Sequence, residues 1–127
     1  MATSVFALDK SQVNLDQDFW GKWTITNAKA KCNETYTFSK PGYVTYQAKE
    51  KIMTGDFAVL RSTDKLNLDV LAMKVKTDNK LAGCAGEPLD YTNSDIRLTL
   101  KWMTTKSAEL CTDMEGKKCT GLYLIKQ

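Results

Sequence analysis

Four cysteines and no histidine set most of the chemistry open to this 127-residue chain. Without an imidazole there is no Ser-His-Asp triad, no Cys-His nucleophile, no histidine general base and no His-based zinc site. Catalysis would have to rest on carboxylates, lysines or tyrosines alone. The carboxylates Asp56, Asp64, Asp78, Glu87, Asp90 and Asp113 sit beside turn residues. Short polar side chains in such places cap their own backbone, so these read as solvated turn groups. No D-x-[DN]-x-[DN]-G run marks a calcium loop. The expectation is a binding protein rather than an enzyme, with no catalytic set, no metal site and no cofactor.

The cysteines are Cys32, Cys84, Cys111 and Cys119, and none forms a C-x-x-C. Neither a zinc knuckle nor a thioredoxin-type redox motif is indicated. An even count at wide spacing fits two disulfides in an oxidising compartment. Three pairings are possible. The segment "TDMEGKK" between Cys111 and Cys119 reads as a hairpin loop around Glu115-Gly116, which places those two cysteines opposite each other. Cys32–Cys84 then staples an early strand to a central one. The opening "MATSVFALDK" lacks the charged n-region and apolar h-region of a signal peptide. With the disulfides, the expectation is the mature part of a periplasmic or secreted protein.

The 18 basic and 15 acidic residues are scattered, giving a net charge of +3. Nucleic-acid binders show a clustered basic stripe and a domain pI above about 9, so nucleic acid is not an expected partner. No window approaches 18 consecutive apolar residues, so no membrane span is expected. The length suits one domain with one core, expected to be a monomer.

The elements that must position these residues follow from the hydropathy period. Residues 1–18 form a polar N-terminal arm, with a short helical turn around "NLDQDF". From Lys22 onward the dominant period is two, the strand signal. Trp23 and Ile25 alternate with Lys22, Thr24 and Thr26. Tyr36 and Phe38 lead through the turn "KPGY" to Val44 and Tyr46, a hairpin. "FAVLRS" (57–62) reads as a short strand bounded by "TGD" and "STD". In "LNLDVLAMKVKTD" the apolar parity flips between Val70 and Leu71, which predicts a β-bulge there or a strand crossing a barrel corner. "DIRLTLKWMTT" puts Ile96, Leu98, Leu100 and Trp102 on one face, and "AELCT" with "KKCTGLYLIK" completes a last hairpin. About eight short strands predict an all-β fold, a single antiparallel barrel over residues 19–127. Closure also removes the exposed edges a small sheet would have to protect. Tyr36, Tyr43, Tyr46, Phe57, Trp102 and Tyr123 are the aromatics that could line a cavity, with Tyr36, Tyr46, Phe57 and Tyr123 the candidate ligand-lining set. A chain of this length can fill its own centre with these rings, and a packed core is the favoured reading.

"NLDQDFWGKWTI" resembles the opening of lipocalins, where a short helical turn leads into a G-x-W on the first strand. The resemblance implies that Gly21 and Trp23 belong to the plug of the closed barrel end, with Trp102 in the core. Lipocalins also carry a T-D-Y-type segment and an arginine packed over that Trp; this chain offers "LDYTN" and Lys126. "GKWTITNAKAKC" is similar to the first strand of the small periplasmic inhibitors that bacteria make against their own secreted metalloproteases. That family has a G-x-W strand running to a disulfide cysteine at this distance, although this chain has four cysteines rather than two. Its N-terminal segment enters the protease cleft; residues 2–18 would be the matching arm, but their sequence does not match. "GCAGEPLDYTNSDIRLTLKWMTTKSAELC" is reminiscent of META-type envelope lipoprotein domains, with Ala85 where an Asn follows the cysteine. Together the resemblances imply an exported lipocalin-like barrel that engages a protein partner, as an inhibitor of a secreted protease or other hydrolase. The alternative is a lipocalin-like carrier of a small apolar ligand.

Overall fold

Alternating stretches place one residue in two on an apolar face, and a face of that kind is stable only when covered. Here the sheet covers itself. In the computed structural model, which describes residues 10–27, 31–61, 63, 66–84 and 86–127, eight antiparallel strands close into a barrel in chain order. They are β1 (Gly21–Asn27), β2 (Cys32–Ser39), β3 (Tyr43–Ala48), β4 (Lys51–Arg61), β5 (Leu68–Asp78), β6 (Asp95–Thr104), β7 (Ser107–Cys111) and β8 (Cys119–Lys126). β1 pairs with β8 through Trp23↔Lys126 and Ile25↔Leu124, so the described sheet has no free edge. The predicted helical turn is α1 (Leu15–Asp18), one turn whose N-cap Asn14 accepts from the Asp16 N–H. A 3-10 turn at Lys10–Gln12 precedes it. Among the described residues no helix is long and apolar enough to cross a membrane.

Both expected disulfides are formed, Cys32–Cys84 and Cys111–Cys119. Cys111 and Cys119 face each other directly across β7 and β8. Cys84 lies in the loop after β5, not on a central strand, so the first bridge ties the start of β2 to that loop. The two bridges fit an oxidising compartment.

Two expectations about strands are corrected. "TGD" does not bound a strand: β4 is 11 residues long and runs through Thr54, Gly55 and Asp56. Thr54 pairs with Thr77 while Gly55 pairs with Val75, leaving Lys76 as an extra residue on β5. Glycine is needed there because a Cβ at Gly55 would lie 1.9 Å from the Lys74 carbonyl oxygen. Second, β5 carries no bulge between Val70 and Leu71; its pairing there is regular on both sides. The inward position beside Leu71 is taken by Asp69, a buried charge. Leu68, which suggested the opposite parity, faces outward and is covered from outside, with Gly116 of the β7–β8 loop lying against it. The bulge at Lys76 is the one that re-aims side chains: it leaves Lys76 and Thr77 exposed and turns the Asp78 side chain inward, fully buried.

The end of the barrel where β1 starts is sealed. Phe19, Trp23, Phe38, Leu71, Leu100 and Trp102 are buried there in one cluster. The Trp23 Nε1–H donates to the Phe19 carbonyl at 2.9 Å, and its ring meets Trp102 edge-on at 6.1 Å. Lys126, the residue offered in place of the lipocalin arginine, places its Nζ 6.0 Å from the Trp23 ring centre and donates to the Asp18 carbonyl. Gly21 is not a core residue. Its φ of +114° carries the chain from α1 into β1, a conformation that favours glycine. The N-terminal segment from Lys10 is docked on this end, with Val13 buried and its carbonyl accepting from Arg61.

Candidate binding site at the open end of the barrel

Strands in a closed barrel tilt, so a row of cross-strand partners climbs as it goes round. One such row runs Trp23, Tyr36, Tyr46, Met53 and Asp78, each paired with the next on the neighbouring strand. It starts at the plug and ends at the opposite mouth. Below Tyr36 the interior is filled by the Trp23–Phe38–Trp102 cluster. Above it lies a cavity of about 250 Å³. Tyr36, Tyr46, Met53 and Ile96 form its strand walls, with Glu34 and Lys51 nearer the rim. The loop between β5 and β6 contributes Gly83, Cys84, Glu87 and Tyr91. An apolar recess of about 30 Å³ shares the strand walls and continues to Val44 and Met73.

The tyrosine pair is held by geometry on both sides. Tyr36 and Tyr46 are direct cross-strand neighbours whose rings meet edge-on, centres 5.0 Å apart. The Tyr46 hydroxyl donates to Oε1 of Glu34 at 2.5 Å. Burial, then the charge of Glu34, pushes the Tyr36 phenol well above its ordinary value. Burial raises Tyr46 too, reinforced by its hydrogen bond to Glu34 and by that carboxylate's charge. Both phenols therefore stay neutral donors at any physiological pH.

The loop that roofs the cavity is anchored by a buried ion pair. Lys51 enters the barrel because it shares parity with Met53, two residues on. Its Nζ donates to Asp78 Oδ1 at 2.7 Å and to the carbonyls of Leu89 at 2.7 Å and Leu81 at 3.4 Å, and lies 5.1 Å from the Tyr91 ring centre. Asp78 also accepts from the N–H groups of Lys80 and Tyr91, each at 2.8 Å. One lysine and one aspartate thus fasten both ends of residues 79–91, and Cys84 fastens the middle to β2. Burial opposes ionisation of Asp78, but the Lys51 and backbone donors outweigh it and hold the carboxyl below its ordinary 3.8. A depressed native value stabilises the fold above the unfolded value and loses that contribution as pH falls through the native one. The Tyr91 amide resonance, followed by NMR from neutral to acid pH, is therefore expected to inflect below 3.8. Asp78→Asn should abolish the inflection; a wild-type inflection at or above the ordinary value would contradict the anchor.

The structure sorts the sequence candidates clearly. Tyr36 and Tyr46 line the cavity. Phe57 does not: it packs in the sealed half, with ring centres 4.7 Å from Phe38 and 5.7 Å from Phe19. Tyr123 is 41% exposed on the outside, because the inward parity of β8 belongs to its neighbours Leu122 and Leu124. Tyr43 points outward too, 57% exposed, one residue out of phase with Val44. Of the turn carboxylates, Asp90 and Asp113 do cap backbone N–H groups of their own loops. Asp78 also caps the Lys80 and Tyr91 N–H groups but is buried rather than solvated, Asp56 lies inside β4 pairing with Lys76 at 2.8 Å, and Asp64 lies outside the described residues. Glu34, Lys51 and Tyr91 were not singled out from the sequence. The first two were signalled by parity, two residues before Tyr36 and Met53; Tyr91 lies on a loop with no period to follow. Among the described residues, no group of three or more His, Cys, Asp or Glu side chains is placed to hold a metal ion. No protein family, curated protein or solved structure matches the chain.

Proposed function

We propose that this chain is a non-enzymatic binding protein that receives a small ligand in the open-end cavity, acting in the periplasm or after secretion. The observation that carries the reading is the division of the barrel interior. One half is filled and sealed by Trp23, Phe38 and Trp102; the other keeps about 250 Å³ beneath a loop held by a disulfide and a buried ion pair. A small barrel with no ligand to hold can fill its whole centre with side chains. Drug-sized pockets run from about 300 to 1,000 Å³, so the ligand is a small molecule rather than a long acyl chain. The Lys126 stacking on Trp23 supports the lipocalin-like reading of the sealed end. The protein-inhibitor reading has less support, because residues 10–18 of the arm that would enter a protease cleft are docked on the barrel, Val13 fully buried.

The test is an NMR fragment screen with an occlusion control. Binding fragments should shift the amides of Tyr46, Met53 and Tyr91 in the unmodified protein. In Ile96→Trp, where an indole is placed into the cavity, those shifts should vanish while the melting temperature stays within a few degrees. Fragment shifts confined to the outer face of the barrel, or persisting in Ile96→Trp, would sink the assignment.

A further inference from the structure

Given a ligand cavity at the open end, its lining constrains the charge of what it can hold. Two carboxylates reach it, Glu34 and Glu87. Oε1 of Glu34 takes the Tyr46 hydroxyl, and among the described residues none donates to Oε2 or pairs with Glu87. The one cation in the described lining is Lys51, and it is spent inside the protein: Asp78 neutralises it, and the Leu81 and Leu89 carbonyls accept hydrogen bonds from its ammonium. The lining therefore carries a net negative charge. Its walls are the rings of Tyr36 and Tyr46, whose faces are electron-rich. Lys51 lying 5.1 Å from the Tyr91 ring centre shows that the same lining already accommodates an ammonium against an aromatic face.

A bare divalent cation does not fit this chemistry. Calcium takes six to eight oxygen ligands and magnesium a near-ideal octahedron, whereas the lining offers two separated carboxylates among rings and a methionine. An anion would meet Glu34 with no free positive group to compensate. A neutral apolar molecule would bury the unpaired oxygen of Glu34, which is unfavourable. An organic ammonium ion satisfies each element at once: the carboxylate takes the charge and its N–H groups, and the rings take the apolar body.

We propose that the open-end cavity is a binding site for a small organic ammonium ion, held by the Glu34 carboxylate against the paired rings of Tyr36 and Tyr46. The inference rests on the cavity being the ligand site, and the test separates the two. Benzylamine, benzyl alcohol and benzoate are near-isosteric probes that are cationic, neutral and anionic at neutral pH. Each is titrated into the full chain with the Tyr46 and Tyr91 amides followed by NMR. Benzylamine is expected to bind about tenfold more tightly than benzyl alcohol, in line with a paired cation on aromatic faces, and benzoate more weakly than either. In Glu34→Gln, the preference for benzylamine over benzyl alcohol should disappear, benzylamine weakening and benzyl alcohol binding no more weakly than in the parent. Tyr46→Phe keeps the ring and removes the hydroxyl that orients Glu34, so its preference should shrink without vanishing; it also serves if Glu34→Gln fails to fold. Binding of benzyl alcohol or benzoate at the same amides as tightly as benzylamine would overturn the ammonium assignment and leave the cavity as a ligand site. Loss of all binding at those amides, with fragments of other kinds also silent there, would overturn both.

Discussion

Replacing Asp69 by leucine is expected to destabilise the protein by about 3 kcal/mol, mostly from stranding the buried Trp102 N–H, with the rest from a pair whose Arg61 side chain is still 27% exposed. Asp69 has no exposed side-chain surface. Its Oδ2 accepts from Trp102 Nε1 at 2.8 Å and from Arg61 Nη2 at 2.8 Å, and its Oδ1 accepts from Arg61 Nε at 3.1 Å. Leucine would leave the indole N–H without its acceptor inside the sealed core and the guanidinium without its charge partner. Arg61 also donates through Nη1 to the Val13 carbonyl at 3.0 Å, so the same change loosens the N-terminal segment. The expected signature is a lowered urea midpoint at unchanged m-value, with early loss of amide protection in residues 10–19. The double replacement Arg61→Met with Asp69→Leu should recover part of the loss, because the orphaned cation is gone. A single Asp69→Leu within about 1 kcal/mol of the parent would show that the pair is not a structural keystone.

Trp23→Ala should be comparable, about 3–5 kcal/mol, the range for truncating a large buried aromatic. Trp23 is wholly buried, touches Phe19 and Trp102, and carries Lys126 on its ring. Truncation opens a cavity at the point where β1, β8 and α1 converge. Trp23→Phe separates volume from polarity: most of the ring remains, but the Phe19 carbonyl loses its donor, so a smaller loss of about 1–3 kcal/mol is expected. Thermal melts of the two variants check this directly, since each kcal/mol moves the midpoint of a domain this size by about 4 °C. Equal losses for alanine and phenylalanine would mean that the hydrogen bond, not the packing, holds the plug. The open-end cavity lies beyond the plug, so fragment shifts at Tyr91 should survive in Trp23→Phe.

The fold was largely legible because period two is a local signal. Each strand stretch states its inward face from its own residues, and antiparallel neighbours joined by short turns need no distant information to pair. The Cys111–Cys119 bridge was legible for the same reason, as both cysteines flank one hairpin. Misreadings came where a polar residue occupied an inward position. Asp69 made β5 look out of phase, when a paired charge had replaced an apolar side chain. "TGD" looked like a boundary because glycine and aspartate favour turns, when Gly55 was demanded by the close approach of β5 across the strand.

The candidate site was legible only in its strand walls. Tyr36 and Tyr46 could be placed on the inner face by counting, but the same count left Phe57 and Tyr123 as candidates. Whether an inward ring lines a cavity or a core depends on how high on the barrel its row sits, which strand tilt and shear decide. Lys51 and Asp78 lie 27 residues apart on the paired strands β4 and β5, and they meet because the Lys76 bulge turns Asp78 inward; Tyr91 reaches the rim because that pair folds its loop inward.

The sequence by itself determined that about eight strands close into a barrel, most of their faces, and the Cys111–Cys119 bridge with Cys32–Cys84 as the remaining pair, because alternation and hairpin spacing are written in neighbouring residues. Only the tertiary structure decided which half of the barrel is filled, which charges lie buried and which carboxylate is left facing the cavity. Those depend on stagger, on the Lys76 bulge and on groups that meet only when distant segments are brought together.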